Sequence, residues 1–124
     1  MGWASETLDP LRSPTRSLRQ EVPDQWAAFA QTHRATFSDG ALSVATKELM
    51  AVAIAVAQQC DGCIAAHVRA AVTAGATREE VAEALTVALF MTGGPGSIYA
   101  PRAWAAYEEY APEPAKAARA AHTA

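Results

Sequence analysis

The segment that most restricts the fold is the apolar run from Leu49 to Ala57, which ends three positions before a Cys-x-x-Cys pair at Cys60 and Cys63. Valine and isoleucine alternate with alanine over residues 51–57, so a period of two fits about as well as the helical 3.6. A strand at this place, followed by the cysteines and a helix, would be a thioredoxin-like arrangement. Alanine favours helices and is poor in strands, and no other segment supplies a convincing strand. The sequence therefore predicts an all-α fold, in which this helix is apolar on every side and is buried in a bundle or an oligomer.

Caps and helix-breaking residues divide the rest of the sequence into further helices. Ser43 is a typical N-cap residue, Thr77 and Glu80 form a capping box, and glycines follow apolar stripes at Gly75 and Gly93. The predicted helices run from Pro23 to the Asp39-Gly40 break, from Ser43 to about Gln59, from Cys60 or Asp61 to Ala74, from Thr77 to Gly93, and from Ser97 or Pro101 to Tyr110. The Ala-rich residues 115–124 form either a last helix or a frayed tail. The prediction is a bundle of five to six helices.

The first 20 residues differ in composition from the rest of the chain. They are rich in Ser, Pro and Arg, and two Xaa-Pro breaks predict an irregular N-terminal arm at 1–20, before a single helical domain at 21–124. This arm lacks the apolar core of a secretory signal, and Glu6 is not typical of a transit peptide. The run from Leu49 to Ala57 is shorter than the roughly 20 residues that cross a membrane. We therefore expect a cytoplasmic protein with no membrane-spanning segment.

The composition of the chain indicates which kinds of macromolecular partner to expect. The apolar share is 51% of 124 residues, which is high for a domain that buries only about two thirds of its unfolded-state surface. Because copies of the chain can cover the apolar surface that remains, the sequence predicts a homo-oligomer. The net charge is −3 and no basic block is present, so we expect no nucleic-acid partner.

Both cysteines of the chain and one histidine fall within eight residues. At about 100° per residue, Cys60, Cys63 and His67 share one face of a helix that begins near Cys60. In a reducing compartment, a single close cysteine pair is more often catalytic or metal-binding than a structural staple. Glu48, twelve positions upstream of Cys60, would lie beside His67 if the second and third helices form an antiparallel hairpin.

The two cysteines are predicted to have different roles. A free thiol has a pKa of about 8.5, and only the thiolate is nucleophilic. The helix N-terminus would favour the anion of Cys60, whereas His67 lies one turn from Cys63 and can both remove and return its proton. We favour Cys63 as the attacking thiolate and Cys60 as the resolving thiol that closes the disulfide. Glu48 would orient His67.

These residues and their spacing resemble the alkylhydroperoxidase AhpD-like, or carboxymuconolactone decarboxylase, family. The likeness extends over about residues 22–110, and it departs at Gly62, where the best-known peroxidase members have a second histidine. The decarboxylase branch lacks the cysteine pair, so we do not infer decarboxylation. The likeness is carried by Glu48, the step of twelve to Cys60, the Cys-x-x-Cys pair, His67, and the runs Lys47-Glu48-Leu49, Cys63-Ile64-Ala65-Ala66-His67 and Ala74-Gly75-Ala76-Thr77.

The resemblance implies an all-helical AhpD-like bundle that assembles as a homotrimer or homohexamer. In the family's peroxidase members, the equivalents of Glu48 and His67 relay a proton to the second cysteine, here Cys63, and the equivalent of Cys60 resolves it. A dithiol reductant such as a lipoylated protein then reduces the disulfide. The predicted function is a thiol-dependent peroxidase or disulfide oxidoreductase that reduces a small hydroperoxide, with no cofactor and no metal.

Other interpretations of the cysteine motif stay open at this point. The protein could be a redox sensor or an oligomeric binding protein, whose disulfide switches its packing with little turnover. Alternatively, the two cysteines, His67 and Glu48 could hold zinc, or the cysteines could be buried and inert.

Two groups of residues outside the motif are expected to have structural roles. His33 lies on the apolar stripe of the first predicted helix and is expected to be a packed or capping histidine. Tyr99, Trp104 and Tyr107 are more typical of core or subunit contacts than of a substrate pocket.

Overall fold

A computed structural model describes residues 2–112 of the chain, and within that range every regular element is helical. The all-α class is confirmed. The seven α-helices are α1 (Trp3–Leu8), α2 (Arg12–Glu21), α3 (Pro23–Thr36), α4 (Val44–Ala57), α5 (Asp61–Thr73), α6 (Arg78–Thr92) and α7 (Gly94–Tyr110), with a short 3-10 helix at Asp9–Leu11 between α1 and α2. From Pro23 onward the five observed helices correspond to the five predicted ones, and the predicted tail at 115–124 lies outside the described residues.

The core is centred on α4 and α5, and α4 also packs against α6 and α7. Alanines at many buried positions let these helices approach each other closely. The apolar run in α4 is buried on the side of Val52 and Val56, although Met50 and Ile54 remain about half exposed. The largest fully buried side chains are those of Tyr107, Ile64, Val52, Val56, Val68 and Val81.

Local capping explains where the central helices begin. The Ser43 side chain accepts a hydrogen bond from the Thr46 backbone N–H, as expected for an N-cap residue. Thr77 and Glu80 form the predicted capping box at the start of α6. Between α4 and α5 the chain reverses over three residues, with Gln59 in the left-handed region at φ 57°. This tight reversal makes α4 and α5 an antiparallel hairpin.

The start of α7 was predicted too late, at Ser97 or Pro101. Gly93 ends α6 with a φ of 65°, and α7 begins at once. Pro95 lies in its first turn, where the N–H that proline lacks would have no partner within the helix. Pro101 lies inside the helix. Because proline has no N–H, the Ser97 carbonyl has no hydrogen-bond partner within the helix at that point.

The N-terminal arm was predicted to be irregular, and this is wrong, because most of it is helical. Pro10 falls in the 3-10 helix and Pro14 in the first turn of α2, two places where a missing N–H costs little. Glu109 of α7 caps the first turn of α1 by accepting hydrogen bonds from the backbone N–H of Ala4, at 3.0 Å, and of Ser5, at 3.2 Å, and from the Ser5 hydroxyl. The carboxylate that holds this segment is about 100 residues away in sequence.

Several apolar side chains are exposed in the single chain. Phe90 and Met91 of α6 are 86% and 73% exposed, and Phe29 of α3 is 70% exposed. Helix α3 buries none of its residues. Within residues 2–112, no helix is long and apolar enough to cross a lipid bilayer.

The Glu109 cap predicts a pH-dependent attachment of α1. Burial alone would raise the pKa of Glu109, but the hydrogen bonds from Ser5 and Ala4 lower it below its ordinary value of 4.5. The folded-state pKa is therefore the lower one, so the stabilisation is present above pH 4.5 and is lost as the pH falls through the folded value. Amide NMR signals of Ala4 and Ser5 are expected to show α1 detaching only below pH 4.5.

The same contact is tested at neutral pH by Glu109→Ala. Removing an N-terminal cap costs about 1 kcal/mol, so trypsin cleavage at the arginines of α2 should become roughly fivefold faster. Glu83→Ala, which removes an exposed carboxylate from α6, is the matched control and should leave the rate unchanged. Equal cleavage of wild-type protein and Glu109→Ala would contradict the assigned role of this carboxylate.

Candidate active site

The two cysteines form a disulfide at the start of α5. Cys60 is the N-cap residue in an extended conformation, Cys63 lies in the first helical turn, and their Cα atoms are 5.3 Å apart. The Cys63 backbone N–H donates to the Cys60 sulfur at 3.3 Å. The helix N-terminus therefore acts on Cys60, as predicted from its position. The structure represents the oxidised state of the pair.

Glu48 and His67 meet across the α4–α5 hairpin. The distance between Glu48 Oε1 and His67 Nδ1 is 2.6 Å, and the Glu48 side chain is only 4% exposed. A carboxylate can only accept, so an ionised Glu48 places the proton on His67 Nδ1. The Nε2 atom of a neutral His67 is then left with a lone pair, which is the state that a general base requires.

A cleft of about 530 Å³, which we name the thiol cleft, lies beside this pair. Its lining includes Cys63 and His67 of α5 and also Phe29 and His33 of α3, whereas Cys60 does not line it. Cys63 is exposed and Cys60 is only partly so. A molecule that enters this cleft therefore meets Cys63 first, next to the imidazole of His67.

His33 was expected to be a packed or capping histidine, but the structure places it in the wall of this cleft. Its ring lies 6.1 Å from the ring of His67, and Phe37 lies 4.9 Å from His33 and 5.2 Å from His67. Phe29, His33 and Phe37 recur every four positions, so they lie on one side of α3 and of the C-cap residue that ends it. That stripe was visible in the sequence, but nothing in the sequence indicated which helix it faces.

Asp61 adds a carboxylate between the two cysteines, and Arg102 of α7 pairs with it. The Arg102 Nη1 atom donates to Asp61 Oδ1 at 3.0 Å and to Oδ2 at 2.9 Å. This hydrogen bonding raises the pKa of Arg102, so the guanidinium stays charged. Arg102 thereby offsets the negative charge that would otherwise oppose thiolate formation. Sequence reasoning missed Arg102, because it lies 41 residues from its partner.

The three aromatic residues considered as alternative pocket residues lie away from the thiol cleft. Tyr107 is buried in the core, and its burial raises its pKa. Trp104 lines a separate apolar cleft of about 440 Å³ between α6 and α7. The ring of Tyr99 lies 4.4 Å from the Arg102 guanidinium. The expected structural role is thus observed for Tyr107.

The four side chains considered as zinc ligands form two pairs in the structure. The sulfurs are bonded to each other, and the Glu48 oxygen is taken up by His67. Among residues 2–112, no three side chains of His, Cys, Asp or Glu are grouped so that they could hold a metal ion.

Comparisons with known proteins identify the family of this chain. The sequence profile of the carboxymuconolactone decarboxylase family matches residues 20–109. An uncharacterized protein of Cupriavidus necator is 42% identical over 92 residues, covering 74% of this chain and 81% of that protein. An uncharacterized protein of the cox locus of Paracoccus denitrificans is 43% identical over 82 residues, covering 66% of this chain and 74% of its own length.

Solved structures extend the likeness to the fold. A carboxymuconolactone decarboxylase family protein from Legionella pneumophila, crystallised in its apo form, is 40% identical with a TM-score of 0.84, over 88% of this chain and 97% of the other. A family member from Thermotoga maritima, for which involvement in the antioxidative response has been suggested, is 33% identical with a TM-score of 0.68, over 78% of this chain and 86% of the other. The chain belongs to the carboxymuconolactone decarboxylase family and has its AhpD-like helical fold.

Proposed function

We propose that this protein is a thiol-dependent peroxidase that reduces hydroperoxides through the Cys60–Cys63 pair. The observation that carries the proposal is the cleft in which Cys63 lies next to His67, whose other ring nitrogen is held by the buried Glu48. A nucleophile, a base and a group that orients the base are the components of an activated thiol site. The suggested antioxidative role of the Thermotoga maritima relative supports the same class of chemistry.

The catalytic cycle begins with the reduced pair. His67 takes the proton of the Cys63 thiol, and the thiolate attacks the terminal oxygen of the hydroperoxide. The O–O bond breaks, the alkoxide leaves with the proton from His67 as an alcohol, and Cys63 becomes a sulfenic acid. The Cys60 thiol then attacks the Cys63 sulfur, which forms the disulfide and releases water. A dithiol reductant returns both thiols and is itself oxidised to a disulfide.

The helix geometry favours this division of roles. Cys63 is exposed and lines the cleft, which is required of the residue that meets the peroxide. Cys60 is set back at the N-cap within bonding distance of it. With Gly62 in place of a second histidine, His33 is the additional imidazole nearest to the relay in the described cleft.

Three further parts of the proposal concern the cell and the assembly. We propose a cytoplasmic protein, because the cycle needs a compartment that supplies dithiol reductants. A lipoylated protein is a dithiol donor of the required class.

The exposed apolar side chains of α3 and α6 support a homotrimer or homohexamer, because a second copy could cover them.

Two cysteine variants test the proposed cycle. With a dithiol reductant, the wild-type protein should consume hydroperoxide over many turnovers, and Cys63→Ser should consume none. Without reductant, Cys60→Ser should react once per chain and stop at the sulfenic acid, which a dimedone adduct detects by mass spectrometry. One oxidation per chain in the wild-type protein, with no further turnover despite excess reductant, would instead support a redox sensor.

The relay is tested by variants of its two members. Glu48→Gln keeps the side-chain volume but removes the charge that stabilises protonated His67, so the rate of Cys63 oxidation at pH 7 should fall at least tenfold. Glu83→Gln on α6 is a matched control and should have no effect. An unchanged rate in Glu48→Gln would remove Glu48 from the mechanism.

The contact between Glu48 and His67 also predicts an effect on stability. His67→Ala leaves a buried carboxylate without its hydrogen-bond partner, which should lower the free energy of unfolding by about 1–3 kcal/mol. Adding Glu48→Gln to His67→Ala removes the buried charge and should recover part of the loss. Urea unfolding measures both values, and additive effects of the two substitutions would show that the pair is not coupled.

A further inference from the structure

A second cleft, of about 410 Å³, lies between the N-terminal segment and α5. We name it the arginine cleft, because half of its lining residues are arginines. They are Arg12, Arg16 and Arg19 of α2 and Arg69 of α5, and the cleft is completed by Leu8, Leu11, Thr15 and Ala66. The cleft therefore combines four cationic groups with mostly apolar neighbouring side chains.

The concentration of positive charge is unusual for this chain. The whole sequence is acidic, with a net charge of −3, yet four of its ten Lys and Arg residues meet in this cleft. Arg12, Arg16 and Arg19 follow one face of α2 at spacings of four and three, where like charges repel. Since α2 buries none of its residues, no core contact compensates for this repulsion.

Most of these guanidinium groups have no anionic partner. Arg12 lies 3.4 Å from Asp9, and both side chains are largely exposed. Among the described residues, Arg16, Arg19 and Arg69 form no salt bridge. Three guanidinium groups without a carboxylate are thus available to an external anion.

The arginine cleft continues into the thiol cleft. Ala66 and Arg69 line both of them, and they lie on α5 within three residues of Cys63 or His67. Leu11 bridges the two regions, because its Cδ1 atom is 3.9 Å from the place of a Cβ on Gly62. An elongated molecule can therefore contact the arginines and reach Cys63 at the same time.

We propose that the arginine cleft binds the carboxylate of an organic hydroperoxide, and that the apolar part of this substrate extends to the thiol cleft. The inference rests on the proposed peroxidase function. Guanidinium groups match a carboxylate with paired hydrogen bonds, and cleft volumes of several hundred cubic ångströms are typical of small-molecule sites. The leucines and alanines between the two ends suit a hydrocarbon segment. A neutral hydroperoxide would gain nothing from the arginines.

The kinetic test compares a fatty-acid hydroperoxide with its methyl ester, which differ only in the charge of the headgroup. The wild-type protein should have a KM about tenfold lower for the acid. The double variant Arg16→Ala with Arg19→Ala should lose this preference and keep its kcat and its KM for the ester within twofold. The double variant Arg16→Lys with Arg19→Lys should retain part of the preference for the acid over the ester.

Two controls accompany this measurement. Arg34→Ala removes an exposed arginine of α3 that lines neither cleft and should leave the preference intact. Raising the ionic strength from about 0.05 to 0.5 M should raise the KM for the acid alone, because salt screens exposed charges. Equal KM values for acid and ester in the wild-type protein would overturn the proposal. It would also be overturned if the arginine substitutions changed only the KM for the dithiol reductant.

A binding measurement separates this site from the peroxidase function. Decanoate carries the carboxylate and the hydrocarbon chain but no peroxide, so calorimetry with the oxidised protein needs no turnover. We expect saturable binding to the wild-type protein and Arg34→Ala, and about tenfold weaker binding to the double alanine variant. Arginine-dependent binding in a protein that reduces no hydroperoxide would support the carboxylate site while refuting the peroxidase function. Active protein that binds decanoate equally in all variants would refute the site alone.

Discussion

The buried contact between Glu48 and His67 constrains both the packing of the central helices and the chemistry of the site. A carboxylate that is 4% exposed requires a partner, since an unpaired buried charge is strongly unfavourable. His67 supplies that partner only when α4 and α5 are antiparallel and in one particular register. Cys63 lies one turn before His67 on the same helix, so the contact that stabilises the hairpin also holds the base next to the nucleophile.

The N-terminal segment packs next to this hairpin. Glu109 holds the first turn of α1 against α7, and the chain then passes Gly62 at Leu11 before α2 presents its arginines next to the thiol cleft. In the proposed function, residues outside the central bundle therefore select the substrate, and the α4–α5 hairpin reacts with it.

Local signals accounted for the parts of the structure that depend on neighbouring residues. The Ser43 cap, the capping box at Thr77 and the helix start at Cys60 were all predicted, because each depends on groups within one helical turn. Glu48 was placed beside His67 on the assumption that α4 and α5 form an antiparallel hairpin, and the structure shows this contact. The roles of Glu48, Cys60, Cys63 and His67 stay predictions that the proposed variants test.

The features that were missed depend on contacts between distant segments. Pro10 and Pro14 suggested an irregular arm because proline breaks helices, and no local pattern indicated the Glu109 carboxylate that caps α1 from 105 residues away. Arg102 and His33 likewise reach the site from α7 and α3, and no local pattern reveals such a meeting. The roles of Arg102 and His33 become visible only after the packing of their helices is known.

The most direct test of the account is the alkylation rate of Cys63 as a function of pH, measured in Cys60→Ser so that only one thiol reacts. If Glu48 and His67 activate Cys63, adding Glu48→Gln should move the rate profile to higher pH and slow alkylation at pH 7 at least fivefold. Identical profiles with and without Glu48→Gln would show that the buried pair does not act on the thiol, and would contradict the account.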